Sequence, residues 1–497
     1  MARIIHNLER IDYLVMILII ISLIIRFSLR SNYLDDWDSV QFALGINNYD
    51  ISANVQQPHP PGYPVYIFFN RLIYPIIGDI TATLTFTSAL FGVLSLGMIY
   101  VLLSKLYNKT IGALSTLLIS VTPAHMMFSV VAMSDMMGLF FIIAVIYLLY
   151  LGLFSEKYLY TSAFLFGITI GIRLTDIVII VLFIAVLIYR KDIKNLLVSF
   201  VMFTLGIFLW LIPSALDAGG LRSYIEIQRA YNVASDKTYI ILHGDIIGIL
   251  REMDKLLIMG WTDVIHVFIL ISIIVIILIF SRIYLSKVDI INKKPILSNK
   301  REILLILWFG IYFIFAFFRY LLDTPRYFLP MYTPLAVLIS LSIIYLYSVS
   351  QRKIIRGTLI LFFTTLVFFM AYHALSTAYA IHTTIPAPVQ ASEYIKQHYN
   401  PDNTIVIGSC TSYRHFYYYL PNYTIKLDFI LSEETIRQYL QNKTVVSERN
   451  CGSFQPKYNF QAHKIFEVQR TGYPKHEYVE LFELEKANAS KPPVKIP

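Results

Sequence analysis

Apolar runs near the length of a bilayer crossing recur along this chain, and no other feature restricts its fold so strongly. A hydrocarbon core needs about 20 mostly apolar residues per helix. Eleven runs meet or approach that length, centred on 11–29, 82–104, 110–123, 136–154, 158–172, 174–189, 195–215, 261–281, 302–319, 327–348 and 357–379. They predict a polytopic α-helical membrane protein of about eleven transmembrane helices, give or take one or two, because the third, fifth and sixth runs are short. Only 15% of the residues are charged, against roughly 25% in soluble domains, so most of the chain is suited to lipid.

The net charge of +9 would suit a nucleic-acid partner, but the basic residues lie in short segments between apolar runs, where the positive-inside rule puts them. Membrane lipids, and no nucleic acid, are the expected surroundings. With a cytoplasmic N-terminus, the inside segments hold Arg3, Arg10, Lys105, Lys109, Lys157, Arg190, Lys191, Lys194, the basic group from Arg282 to Arg301, and Arg352, Lys353 and Arg356. An odd number of crossings then places the C-terminal part outside. The first run precedes Arg26 and Arg30 and no small-residue cleavage site, so it reads as a retained anchor in a multi-pass cell-membrane protein. Cys410 and Cys451 lack metal-ligand spacing, and their spacing is compatible with a disulfide or with two thiols.

Two outside stretches are too long to be turns. The first, 30–80, carries Asp35, Asp36, Asp38 and Asp50 and no Lys or Arg from Ser31 through Asn70. The second, 216–260, mixes Arg222, Tyr224, Arg229, Tyr231, His243, Arg251 and Lys255 with apolar residues, as helices lying at the membrane interface do. Near Ile381 the composition becomes that of a soluble domain. Pro386 and Pro388 mark a linker, a helix is expected over Val389–Tyr399, a strand over Thr404–Gly408, a helix over Glu433–Leu440, and strands over Lys464–Gln469 and Tyr478–Leu484. The expected organisation is a membrane unit over 1–380 and a small external α/β domain over 381–497.

Three carboxylates within four residues repel one another unless a cation, a proton or a substrate hydroxyl compensates them. A solvated loop start, with one Asp capping a helix over Ser39–Gly45, explains the cluster equally simply. The following QPHPPGYP holds a rigid, extended segment that re-enters the membrane at Val65. The order of span, Asp38-Ser39-Val40-Gln41-Phe42-Ala43, His59–Pro64 and span resembles the GT-C membrane glycosyltransferases, in particular the protein O-mannosyltransferase and aminoarabinose-transferase group. Arg326–Pro330, RYFLP, is similar to the RYxxP that begins a late span in that family. The likeness in topology covers residues 1 to about 350; the external domain matches only as an α/β appendage.

The resemblance implies transfer of a glycosyl residue, of hexosyl or mannosyl type, from a polyprenyl (dolichyl)-phosphate-linked sugar to a protein, glycan or lipid acceptor at the outer face. Asp38 would be the catalytic carboxylate with Asp36 beside it, and a single displacement would invert the anomeric centre. Arg326, Arg319, Arg229, Arg222 and His59 are the candidates for holding the donor phosphate by charge-assisted hydrogen bonds. Many relatives have Glu where this chain has Ser39. A divalent metal held by Asp36 and Asp38 is one option the resemblance leaves open.

Other residues carry two readings each. Arg173 and Asp176 are candidates for substrate binding, or for simple pairing with each other at i,i+3. Asp135 would contact substrate or cap a helix, and Tyr327 accompanies Arg326. His59 would reach a phosphate or be only a loop residue, and His125 and His266 are expected at the interface. The aromatic run from Tyr413 to Tyr419 suits a sugar or a packed core, with the core favoured. Asn422, Asn442 and Asn488 lie in glycosylation sequons on the expected outer side. A transporter or lipid flippase is the competing class, disfavoured because the apolar runs are nearly free of charge and no repeat is evident. A family member that only binds or assembles is the third.

Overall fold

The computed structural model describes residues 2–234, 300–319, 325–409, 412–428, 431–448, 460–470 and 477–486. The chain divides into two compact units, Met1–Arg30 with Asp50–Tyr379, and Ser31–Tyr49 with Ala380–Pro497.

Helix starts follow local chemistry. After α1 (Ala2–Ser28), α2 (Trp37–Asn47) begins where the Asp36 carboxylate accepts the Asp38 N–H at 2.9 Å. α3 (Pro64–Ile77) has proline in its first turn, where the missing N–H costs nothing. Asp79 caps α4 (Ile80–Leu106) through the Ala82 N–H at 2.7 Å, and Asn108 caps α5 (Lys109–Ser120) through the Ile111 N–H at 2.9 Å. α6 (Pro123–Val130) is bent 63° from α5 because Pro123 cannot continue the helix and forces Thr122 into an extended conformation.

Arg26 stabilises that break. Fully buried, it donates to Ser120 O, the carbonyl at the end of α5, at 3.0 Å and to His125 Nδ1 at 3.1 Å. The His125 Nε2 then meets Ser95 Oγ at 3.0 Å. A cation at a helix C-terminus is favoured by the helix dipole. His125, expected at an interface, is thus an interior hydrogen-bond relay; His266 lies outside the described residues.

α7 (Asp135–Gly152), α8 (Glu156–Ile170), a 3-10 turn (Leu174–Ile179), α9 (Ile180–Arg190) and α10 (Ile193–Asp217) continue the unit. α8 and α10 touch backbone to backbone: a Cβ on Gly167 would lie 2.3 Å from Phe203 O, and Trp210 Nε1 donates to Gly167 O at 2.8 Å. α11 (Leu221–Ala234), α12 (Lys300–Arg319), a 3-10 turn (Pro325–Phe328), α13 (Leu329–Val349) and α14 (Lys353–Thr383) complete the described helices up to the second unit.

Six described helices are long and apolar enough to cross a membrane, and the α5–α6 pair makes a seventh if counted as one broken span. The expected eleven is not reached among the described residues. The run at 261–281 lies outside them, while 158–172 and 174–189 form shorter pieces. Large apolar side chains such as Leu14, Ile24, Ile188, Phe200, Leu209, Leu361 and Phe368 are exposed, the surface expected of a protein solvated by lipid.

In the second unit, β1 (Thr404–Gly408), β2 (Thr424–Leu427), β3 (Thr444–Glu448), β4 (Phe460–Arg470) and β5 (Glu477–Lys486) form one sheet in the order β2-β1-β3-β5-β4. β2, β1 and β3 are parallel, β5 is antiparallel to β3, and β4 pairs antiparallel with β5. The central strand TIVIG is buried throughout, as a parallel strand covered on both faces requires. On one face, Val406, Val446 and Leu481 pack with Ala391 and Ile395 of α15 (Ala387–His398) and Phe416 of α16 (Tyr413–Tyr419). On the other, Ile405, Ile407 and Val445 pack with Ile436 of α17 (Glu433–Asn442). The aromatic run is therefore a short helix that enters the core through Phe416, with His415 also buried and Tyr417 exposed.

Candidate active site

The three clustered carboxylates have different environments. Asp36 is spent on capping α2. Asp35 is fully buried and takes a hydrogen bond from Arg470 Nη2 at 3.0 Å; burial pushes its pKa up to about 6, against the opposing pull of Arg470. Arg470 also donates from Nε to Thr384 Oγ1 at 3.1 Å and lies 3.7 Å from Glu477 Oε2. Glu477 accepts the Ala387 N–H at 2.9 Å, and burial pushes it up to about 7. Asp38 sits in the first turn of α2, buried, where a carboxylate is favoured by the unsatisfied N–H groups of the helix start. The cluster is thus an anchored helix start and not a solvated loop.

His59 is buried in the turn that leads into α3. Its Nε2 lies 3.3 Å from Tyr63 Oη, and its ring lies 5.4 Å from that of Tyr231 on α11. Tyr224, two turns earlier on α11, donates to Pro61 O at 3.1 Å. α11 therefore closes over the His-Pro-Pro segment with its tyrosine face. Arg222 and Arg229 occupy the opposite, exposed face, with Arg222 paired to Glu226 at 2.9 Å. Arg319 ends α12, and its side chain lies outside the described residues.

The other expected site residues converge. Asp135, Arg173, Asp176, Tyr312, Arg326 and Tyr327 line one cavity of the membrane unit, about 290 Å³ including its open mouth. Arg173 forms an ion pair with Asp135 at the start of α7, and not with Asp176, a pairing that is one of the two readings of the sequence. Asp176, in the 3-10 turn, lies near the Arg173 stem without an ion pair to it, and Ser134, not Asp135, takes the N-cap position of α7. The Tyr327 ring stands 5.3 Å from the Arg173 guanidinium and 5.1 Å from that of Arg326. Among the described residues, one oxygen each of Asp135 and Asp176 and the Tyr312 hydroxyl are buried without a hydrogen-bond partner. Such groups carry a desolvation cost that a polar ligand would relieve. Gly138 makes room: a Cβ there would meet Arg173 Cδ at 2.9 Å and Asp176 Oδ2 at 3.1 Å.

Two guanidiniums, two carboxylates and a phenol around one opening present cations to an anion and acceptors to hydroxyl groups. Among the described residues no three His, Cys, Asp or Glu side chains are grouped so as to hold a metal ion, and Asp36 is engaged as a cap. Sequence reasoning missed Tyr312, Gly138, Glu477 and Arg470, each of which gains its meaning from a partner distant in sequence.

Residues 58–216 match the family model described as dolichyl-phosphate-mannose-protein mannosyltransferase. That stretch includes His59, Asp135, Arg173 and Asp176. No curated protein matches the chain. Among solved structures, the oligosaccharyltransferase of Archaeoglobus fulgidus, in complex with Zn and sulfate, is similar at a TM-score of 0.56 and 14% identity, covering 87% of this chain and 68% of that one. ArnT from Cupriavidus metallidurans, bound to undecaprenyl phosphate, is similar at 0.53 and 11% identity, covering 94% and 97%. The archaeal oligosaccharyltransferase AglB from A. fulgidus, with an inhibitory peptide and a dolichol-phosphate, gives 0.52 and 12% identity over 88% and 69%. The structural likenesses establish the fold. With the family match, they bear out the GT-C resemblance carried by the sequence motifs.

Proposed function

We propose that this membrane protein of the GT-C glycosyltransferase superfamily transfers a sugar from a polyprenyl phosphate to an acceptor hydroxyl or amine at the outer membrane face. The reading adopts an N-in, C-out orientation. Asp38 takes the acceptor proton as the acceptor attacks the anomeric carbon, and the polyprenyl phosphate leaves with inversion. Within the membrane unit, Arg173 and Arg326 are the candidates for the anionic part of the donor, with Tyr327 against both guanidiniums and Asp176 and Tyr312 open to hydroxyl groups.

The observation that supports donor binding is the cavity of the membrane unit, while the role of Asp38 rests on its place in the motif. The cavity gathers two arginines from distant parts of the chain around an aromatic ring, next to carboxylate and phenol oxygens that lack partners among the described residues. Arg222 and Arg229, exposed on the far face of α11, take no part in this scheme, and His59 acts by holding the segment that leads into α3. The test is incubation of the purified full chain with radiolabelled polyprenyl-phosphate sugars, with and without EDTA, followed by separation of lipid, glycan and protein products. Transfer that requires Asp38 and falls at least tenfold in Arg326→Met supports the reading; movement of lipid or solute across vesicles without any transfer points to the transporter class instead.

A further inference from the structure

Residues Ser31–Tyr49 belong to the same compact unit as residues 380–497, although more than three hundred residues separate them in the chain. Four polar contacts within that unit hold the approach to α2. Asn32 Nδ2 donates to His382 O at 3.2 Å, the Leu34 N–H to Tyr419 Oη at 3.2 Å, His415 Nε2 to Leu34 O at 3.2 Å, and Arg470 Nη2 to Asp35 Oδ1 at 3.0 Å. The last is the only one of the four between two opposite charges. It is also buried, with the Arg470 side chain 4% and the Asp35 side chain 0% exposed.

A buried ion pair is a poor way to gain stability, because desolvation offsets most of its attraction and a well-packed apolar pair would serve as well. What such a pair does supply is one allowed register, since any displacement leaves a charge uncompensated in the interior. Asp35 stands three residues before Asp38, with the Asp36 cap fixing the helix start between them. Arg470 is itself held on two further sides, by Thr384 and by Glu477, and Glu477 is bound to the first N–H of α15.

We propose that Arg470 is a positioning residue for the transfer reaction: through Asp35 it fixes the helix start that presents Asp38, so the external domain sets the turnover rate. The proposal rests on the assignment of Asp38 as the base. A base displaced by about 1 Å loses on the order of a hundredfold in rate, so the signature is a fall in kcat and not in donor affinity.

The experiment uses the full-length protein with the polyprenyl-phosphate sugar that it transfers. Arg470→Met, Arg470→Lys, Asp35→Asn and the double variant Asp35→Asn/Arg470→Met are compared for kcat, donor KM, affinity for the polyprenyl phosphate alone and unfolding temperature. Expected is a fall in kcat of tenfold or more in Arg470→Met, a donor KM within threefold of the parent, partial recovery of kcat in Arg470→Lys, and a double variant no worse than the worse single one. Should Arg470→Met fail to fold, Asp35→Asn, which keeps shape and one acceptor, carries the test with the same expected split. A kcat within twofold of the parent in the folded variants overturns the proposal. So does a loss of kcat that tracks the loss of folded protein and is not recovered by lysine. Asp38→Asn runs in parallel: retained transfer there defeats the assignment of the base, whereas abolished transfer beside unchanged kcat in Arg470→Met defeats only the positioning role.

Discussion

A hydrogen atom is all that Gly138 can offer the cavity, and the space a methyl group would fill is taken by the Arg173 stem and the Asp176 carboxylate. Gly138→Ala should therefore push Arg173 off its place across α7, at a cost of about 1–3 kcal/mol of strain. The expected outcome is a tenfold or greater loss of affinity for polyprenyl phosphate, measured by equilibrium binding, with Arg173→Met losing at least as much. Glu448 offers a residue-scale test outside the membrane. It is buried at the end of β3, accepts the Ser409 N–H at 2.8 Å, and burial pushes its pKa up from 4.5 to about 7. The folded chain thus holds this proton more tightly than the unfolded chain does. Its contribution to stability is complete below about pH 4.5 and is lost as pH rises through about 7, an effect on the order of 3 kcal/mol. Glu448→Gln, which keeps the acceptor, should flatten the pH dependence of unfolding of the second unit between pH 5 and 8, gaining on the parent toward the alkaline end.

At the scale of elements, helix boundaries were largely readable because their causes are local. Asp36, Asp79, Asn108 and Asp192 cap the helices that follow them, Pro64 opens α3, and Pro123 ends the run that began at 110. The strand Thr404–Gly408 appears over the residues expected, since a fully buried parallel strand leaves an unbroken apolar signature. The partners of charged side chains were not readable. Arg173 stands three residues from Asp176 but pairs with Asp135, 38 positions away, and Asp35 meets Arg470 across 435 positions. Composition and periodicity carry no information about such closures. The two-sided nature of α11 was visible only as a mixture of arginine, tyrosine and apolar residues, and the structure resolves it into a tyrosine face on the His-Pro-Pro segment and an arginine face turned away. Tyr224→Phe removes the bond to Pro61 O and should lower the stability of the membrane unit by about 1 kcal/mol, read as a shift in thermal unfolding in detergent.

The whole molecule joins an apolar helical unit, whose exposed Leu, Ile and Phe side chains need lipid, to a second unit with an ordinary two-faced α/β core. The basic connections predict an N-in, C-out orientation, which the proposed chemistry adopts. With Cys410 and Cys451 replaced by serine, a cysteine introduced at Tyr478 should react with a membrane-impermeant maleimide on intact cells, and one at Lys191 only after permeabilisation. The reverse pattern would put the external domain inside. The central claim is that Asp38 drives sugar transfer from a lipid phosphate, and the most direct measurement is the transfer rate of purified Asp38→Asn beside its donor affinity. The account predicts a rate reduced by a thousandfold or more, with polyprenyl-phosphate binding within threefold of the parent; undiminished transfer by the folded variant would contradict it.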